Sequence, residues 1–383
     1  MVAAPTSVFV SEPRTPAPCV SVLVPICNVE RYLEECLNSL VAQTFMDFEA
    51  ICINDGSTDG SRAIVQRFLD TDARFRVIDK PNSGYGASMN LGITNARGSY
   101  LAILESDDFF EPDALEKLVG AAERTGADVV KADFWLYWST PEPRCEPFRI
   151  VDDSQAGRTL APLDDLAVFF RKPSIWSGLY RRDLIERAGI RFLETPGASY
   201  QDAGFNFKVL VAARSVSFIA DQVLFYRQDN EKSSVNSPAK IFCVCDEYAA
   251  MEDYLRNHGS NQGRLLAILE RMKFDSYMWN YDRLDEGLRE EFVLRAAEEF
   301  REAIEAGKVD MDLFEPWSEA DLRALVSSPE CFNAMRSKHT APGKLNTFRH
   351  YLDLGGLPLV LKVVAYKTFR RSVRRTNESG GAA

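Results

Sequence analysis

Four short segments of the chain hold residues whose types and spacing could do chemistry, and each stands beside an apolar run. Residues 53–61, INDGSTDGS, follow the run EAICIN. Asp, Gly, Ser and Thr in a row make a turn and a helix N-cap, here Ser57 or Asp59. Asp55, last on a buried strand, is less well explained by a turn, and a carboxylate there can accept an N–H from a base or a sugar. Residues 103–110, ILESDDFF, place Glu105, Asp107 and Asp108 directly after the run SYLAIL. Carboxylates so close repel unless a cation neutralises them. Alternating Glu105 and Asp107 could present oxygens to one Mg²⁺ or Mn²⁺, an ion that keeps waters and takes substrate phosphates as further ligands. An acidic cluster ahead of Pro112 would equally suit a helix dipole.

The third segment, NSGYGASMNLG (82–92), is not a full GxGxxG and follows the third apolar run rather than the first. It reads as a loop that lets backbone approach a ligand around Asn82 and Gly84. The fourth, SYQDAGFNFKVL (199–210), opens a helix whose buried face carries Phe205, Val209 and Ala212, with Asp202 in the first turn. The dipole favours a carboxylate there whatever its function. Ahead of it, Trp176 and Tyr180 of IWSGLYRR either pack in the core or stack on a sugar. Arg181 and Arg182 meet phosphate or solvent.

These segments need positioning elements. Residues 19–25, 49–54, 75–80 and 99–104 are strand-length apolar runs separated by helical patterns at 30–42, 59–70 and 86–97. A helix opened by Pro112 ends near Gly126, and the strand ADVVKADFW follows. Such alternation means an α/β domain with a mostly parallel sheet sandwiched by helices, and ligands at the strands' carboxyl ends. Residues 139–165, Pro-rich and polar, read as a long connection or lid. Helical patterns at 165–172 and 199–213 and strands near 215–219 and 222–227 complete the domain. From Ser237 the pattern is almost wholly helical. The expected organisation is a disordered leader over 1–18, an α/β domain over 19–235 and a helical region over 236–383.

Composition bounds the partners. A net charge of −11 argues against binding nucleic acid as a polymer. Eight Lys or Arg and one acid between Lys344 and Arg375 give that segment +7, leaving −18 on the remainder. Within it Leu359, Val363, Tyr366, Phe369 and Val373 form an apolar helical stripe, and Lys367, Arg370, Arg371 and Arg374 share another face. A basic amphipathic helix suits anionic headgroups, and docking on the acidic body is the alternative. The eight cysteines form no CxxC pair and read as reduced, mostly buried thiols. Three histidines offer little for a zinc site. The N-terminal 18 residues lack a signal-peptide pattern, and no run approaches the ~18 apolar residues of a membrane span. The expected location is the cytoplasm, with peripheral contact at the inner face of the membrane through the basic helix.

Taken in order, SVLVPICNVERYLEECLNSLVAQTF, ICINDGSTDGS, NSGYGASMNLGITNARGSYLAILESDD, WSGLYRRDLIERAGIRF and SYQDAGFNF resemble the family 2 inverting glycosyltransferases with the GT-A fold, over roughly residues 19–230. The resemblance implies a nucleotide pocket lined by Pro25, Asn28 and Glu30, with Asp55 on the base and the 82–84 loop and Ser106 nearby. It implies that ESD at 105–107 is the DxD motif, Asp107 the principal metal ligand with Glu105 beside it, and that Asp202 is the general base. Two departures stand out. Glu105 is one methylene longer than Asp, and Gln201 replaces the usual Glu before the base, which is expected to leave Asp202 with a less elevated pKa. The implied function is metal-dependent transfer from a nucleotide-sugar, read as a UDP-sugar, to a hydroxyl of a cell-surface glycan or a lipid-linked acceptor. The alternatives are a sugar nucleotidyltransferase, whose Gly-rich loop is missing from PICNVERYL, and a non-catalytic carbohydrate- or partner-binding protein on the same scaffold.

Overall fold

The structure, a computed structural model of the chain, describes residues 7–13, 15–152, 154–195, 199–230, 241–258, 262–339 and 343–380, with side chains described up to Thr368. The chain packs as two units, Met1–Val235 with Ala249–Gly259, and Asn236–Tyr248 with Ser260–Ala383.

In the first unit, eleven strands among the described residues form one sheet: β1 (Phe9–Val10), β2 (Val20–Ile26), β3 (Phe48–Asp55), β4 (Phe75–Lys80), β5 (Tyr100–Ile103), β6 (Phe109–Phe110), β7 (Val129–Trp138), β8 (Arg144–Phe148), β9 (Thr159–Leu160), β10 (Gly178–Arg181) and β11 (Val216–Arg227). Their order is β1-β4-β3-β2-β5-β10-β7-β11-β6, with β8 on β7 and β9 on β11. The run β4-β3-β2-β5 is parallel. Strand β10 joins it to the parallel pair β7 and β11 by lying antiparallel to both β5 and β7. The α/β architecture is thus present, and its sheet is mixed, parallel in the half that ends at the candidate site.

Strands β2 and β3 are buried along their whole length, as apolar runs covered on both faces must be. The covering helices are α1 (Glu30–Val41), α2 (Ser61–Thr71), α3 (Tyr85–Asn95), α4 (Ala114–Thr125), α5 (Arg182–Arg187) and α6 (Gln201–Ala212). Helix α1 buries Leu33, Cys36, Leu37 and Leu40, the spacing of one helical face. Helix α4 stops at Gly126, whose φ of 63° supplies the left-handed C-cap. In α3, a Cβ on Gly86 would lie 2.1 Å from the carbonyl oxygen of Leu193, so only glycine lets that backbone approach.

Three expectations are corrected in this unit. The stretch read as a disordered leader contributes β1, which pairs with β4; residues 1–6 and 14 lie outside the described ones. The stretch read as a lid contains β8, which pairs antiparallel with β7 from Phe134 to Trp138, and β9, which pairs with β11. Where two strands were expected near 215–227 there is one, β11, with register shifts after Ile219 and Gln222.

The second unit is helical. It holds the first turns of α7 (Cys243–His258), then α8 (Gln262–Arg283), α9 (Glu286–Glu305), α10 (Pro316–Ser327), α11 (Pro329–Arg336) and α12 (Lys344–Gly380). Its core is aromatic: Phe274, Tyr277, Tyr281, Phe292 and Phe300 are fully buried. Helix α12 is broken at Gly356, where φ is 63° and ψ is −163°, and Pro358 follows. Past this break Leu359 and Val363 are buried and Tyr366 packs edge-on against Trp317 of α10. The described part of the tail's expected apolar stripe, Leu359, Val363 and Tyr366, therefore packs within its own unit, while Leu357, Leu361 and Val364 stand 63%, 62% and 56% exposed. The side chains of Phe369, Arg370, Arg371, Val373 and Arg374 lie outside the described ones, as does the expected domain boundary near 235.

No helix among the described residues is long and apolar enough to cross a membrane. The cysteines are free; Cys36, Cys52 and Cys245 are buried, whereas Cys27, Cys145 and Cys331 are exposed, so burial holds for fewer of them than expected.

Candidate active site

Parallel pairing puts the carboxyl ends of β2, β3, β4 and β5 on one edge, and the polar residues that follow them meet there. Asp55 ends β3 and Lys80 ends β4; their side chains form a buried ion pair. Asp55 Oδ1 also accepts the Ser83 N–H at 2.8 Å, and Oδ2 accepts the Gly84 N–H at 3.0 Å. The carboxylate thereby fixes the 82–84 loop, and Asn82 adds a bond from Nδ2 to the Asp55 carbonyl oxygen at 3.1 Å. Gly84, with φ of 93°, caps α3.

Pro25 is buried within β2. Asn28 is one of two described non-glycine residues with positive φ, at 55°. Its Oδ1 accepts the Thr58 N–H at 2.8 Å, and Glu30 Oε2 accepts the Gly60 N–H at 2.6 Å. Both hold the turn that INDGSTDGS makes, so in this state their carbonyl and carboxylate groups serve the protein's own backbone.

After β5, the ESD segment turns its acids in different directions. Glu105 Oε1 accepts the Tyr85 hydroxyl at 2.6 Å. Burial pushes Glu105 up to about 8; the Tyr85 bond opposes this, and the charges of Asp107 and Asp202 add to it. Ser106 is buried. Asp107 is half-buried, its Oδ2 accepting from Asn230 Nδ2 at 2.8 Å and its Oδ1 receiving no hydrogen bond among the described residues. Asp108 points inward and accepts the Arg227 N–H at 2.8 Å; burial holds its carboxyl well above the usual range. Among the described residues no group of three or more His, Cys, Asp and Glu is arranged to hold a metal ion. What the geometry offers a hard cation is Asp107, with Oδ1 open, and Glu105, whose Oε1 holds the Tyr85 hydroxyl and whose Oε2 receives no hydrogen bond among the described residues.

Asp202 opens α6 two residues after Tyr200, the other described non-glycine residue with positive φ, at 60°. Its Oδ1 accepts the Ala203 N–H at 2.9 Å, and Oδ2 has no partner among the described residues. Burial raises the Asp202 carboxyl, against the Ala203 bond and the ammonium groups of Lys172 and Lys131. Gln201 is buried and donates from Nε2 to Thr195 Oγ1 at 2.9 Å while its Oε1 accepts the Ser199 N–H. It ties down the segment before Asp202 and adds no charge beside it.

The two arginines are structural. Arg181 pairs with Asp128 and Asp183, and Arg182 donates to the Gly98 carbonyl oxygen and pairs with Glu186. Tyr180 is fully buried and donates to the Ile175 carbonyl oxygen at 2.9 Å, which excludes it from stacking on a ligand. Trp176 stacks on Tyr226, centroids 4.8 Å apart.

Six residues of this site escaped sequence reasoning: Lys80, Tyr85, Lys172, Tyr226, Arg227 and Asn230. Lys80 and Arg227 end the strands β4 and β11, and a charge ending an apolar run was the same signal that singled out Asp55. Tyr85 lies inside GYG. Lys172, Tyr226 and Asn230 carry no local signal.

The parallel strands with acids at their carboxyl ends, the antiparallel extension and the helix that carries Asp202 make a GT-A-like fold. Residues 21–140 match the model described as Glycosyl transferase family 2. The chain is 33% identical over 227 residues to the uncharacterized glycosyltransferase EpsJ of Bacillus subtilis, covering 58% of this chain and 64% of that protein. To glycosyltransferase GlyA of Streptococcus pneumoniae it is 28% identical over 265 residues, 66% of this chain and 37% of that one. The chain thus spans less than two thirds of the length of these relatives. In fold it resembles the crystal structure of S. aureus TarS 1–349 in complex with UDP-GlcNAc, with a TM-score of 0.67 at 18% identity, covering 83% of this chain and 90% of that one.

Proposed function

We propose that the chain transfers a sugar from a nucleotide-sugar, read as a UDP-sugar, to an acceptor hydroxyl by a single displacement that inverts the anomeric centre. The observation that carries this reading is geometric. Tyr85 donates to Glu105 of the ESD segment and packs edge-on against Phe192, which stacks on Phe205 of α6, the helix that carries Asp202. A hydroxyl is too weak an acid to attack unaided, and Asp202 Oδ2 is free to take its proton. Asp55 would hold the base: of the roughly four lone-pair sites on a carboxylate, three are spent on Lys80, Ser83 and Gly84, which leaves one on Oδ2. Asn28 and Glu30 shape the wall of the nucleotide site through the 57–60 turn. Asp107 would hold a divalent cation, Mn²⁺ or Mg²⁺, together with donor phosphate oxygens and water. Such an ion, when bound, offsets the charge of the departing diphosphate. Tyr85 takes one oxygen of Glu105, Oε1, and leaves Oε2 able to join that coordination. Release of UDP from a panel of UDP-sugars with Mn²⁺, abolished in Asp107→Ala, is the expected result; no turnover with any donor and candidate acceptor would instead favour a binding protein on this scaffold.

A second reading concerns the acceptor's location. The exposed stripe Leu357, Leu361 and Val364 recurs every three or four residues on a segment carrying +7, chemistry suited to an anionic lipid surface on the cytoplasmic side. This stripe, rather than Leu359 and Val363, would enter the headgroups, next to a lipid-linked acceptor. Flotation with phosphatidylglycerol vesicles is expected to recover the native chain and to lose it when Leu357, Leu361 and Val364 are all changed to Ser. Equal recovery of both would end this reading.

A further inference from the structure

Three lysines surround the catalytic edge, and they differ in what holds them. Lys80 is paired with Asp55. Lys131 is fully enclosed and donates from Nζ to the Ser174 carbonyl oxygen at 2.5 Å. The ammonium of Lys172 makes no hydrogen bond or ion pair with any described residue. Four aromatic rings enclose it instead: its Nζ lies 4.4 Å from the ring centroid of Tyr226, 5.4 Å from Phe148, 5.7 Å from Phe134 and 5.8 Å from Trp176. Ring faces attract a cation, but they accept none of its three N–H groups in an ordinary hydrogen bond. In the same wall the indole Nε1 of Trp176 is a buried donor with no acceptor. Asp202 and Asp108 act on Lys172 through their charges without pairing with it. A cation thus stands within the field of Asp202 with no anion paired to it, and one of the rings around it carries a buried donor without an acceptor.

We propose that Lys172, with Trp176, forms an anion-binding subsite for the acceptor, so that the hydroxyl deprotonated by Asp202 belongs to a molecule bearing a phosphate or carboxylate group. The proposal rests on the reading of Asp202 as general base. A paired lysine would have to give up its partner to bind substrate; Lys172 has none to give up among the described residues. Its aromatic enclosure holds the partly buried ammonium in place and reduces its screening by water. An anion seated there would also leave Asp202 its role, because Lys172 would answer the substrate's charge rather than the base's.

The test uses the full chain and two pairs of small acceptors, sn-glycerol 3-phosphate against glycerol and glucuronate against glucose. UDP release is followed with the donor that turns over fastest. In at least one pair the charged member is expected to show a KM at least tenfold lower than its neutral partner. Lys172→Met should erase that preference and Lys172→Arg should keep much of it, while UDP affinity by calorimetry stays within twofold. Trp176→Phe, which keeps the ring and removes Nε1, should weaken the preference in part. Equal KM values within both pairs would overturn the proposal. So would a loss of UDP affinity in Lys172→Met, which would place the ammonium on the donor diphosphate. If no donor turns over, the transfer reading fails, and the subsite is judged by saturation-transfer NMR with the same four compounds: binding of a charged member lost in Lys172→Met supports it, and no selective binding overturns it.

Discussion

Arg227 donates from Nε to the main-chain oxygen of Asp107 at 2.8 Å, so the end of one strand fixes the backbone of the acidic segment that follows another. The same guanidinium pairs with Glu35 and lies 4.6 Å from the ring centroid of Tyr32 and 4.9 Å from that of Tyr137, and its side chain is almost fully buried. Lysine cannot reproduce the planar fork that reaches two partners at once. If Asp107 holds the cation as proposed, Arg227→Lys is expected to lower kcat about 10-fold or more and to raise the Mn²⁺ concentration needed for half-maximal turnover, as loss of an outer support of a metal ligand does. A metal titration under steady state checks it; an unchanged requirement would mean that Arg227 serves stability alone.

Asp202→Asn retains the shape of the α6 N-terminus and removes the proton acceptor. Turnover should fall by about 10²–10⁴-fold, the usual worth of a positioned base, with UDP affinity unchanged. With Asp202 as the base, as proposed, activity should fall as pH falls, because the base works only when ionised. Burial raises its carboxyl, so the midpoint of that acid limb should lie above the ordinary aspartate value of about 3.9. The pH profile of kcat/KM reads it directly.

The Asp55–Lys80 pair gives a stability prediction. Asp55→Asn leaves a buried ammonium without its counter-charge, a loss of about 3–5 kcal/mol for pairs of this kind. Adding Lys80→Met should restore part of that, which urea midpoints of the single and double variants would register. Further loss in the double variant would contradict the pairing as described.

On the edge of the sheet away from the site, Glu49 is fully buried with Ser21, Arg76 and Arg97 around it. Burial alone would raise its carboxyl, yet the hydrogen bonds of Ser21, Arg97 and Arg76 hold it below the usual range. A lowered folded pKa contributes stability above the unfolded value of about 4.3 and loses it as pH falls through the folded one. Glu49→Gln should cost about 3 kcal/mol at neutral pH, with the gap to the native chain narrowing below about pH 4. Thermal melts across pH 3–7 would test that narrowing.

Much of this was legible in the residues. Runs such as VSVLVPI and EAICIND announced buried strands, and acids closing them announced the edge where a ligand sits. Other features depend on contacts that no local pattern encodes. Strand β8 sits in a Pro-rich stretch and exists because β7 offers it an edge. Lys172 reads as an ordinary polar residue until four rings from β7, β8, β11 and the turn before β10 close around it. The tail carries two apolar stripes, and periodicity alone could not decide that α10 would cover Leu359 and Val363 and leave Leu357 and Leu361 outside. Gln201, read as a missing charge, turned out to be an anchor that donates to Thr195 and accepts from Ser199.

With Asp55 on the base, as proposed, the single lone pair left on its Oδ2 makes base choice a matter of proton placement. A ring nitrogen that carries hydrogen completes the carboxylate's shell, as N3 of uracil or N1 of guanine would. Cytosine N3 and adenine N1 bring a lone pair to the same place and would meet repulsion. On this reading, discrimination between pyrimidines is set by one hydrogen atom before the sugar is felt at all.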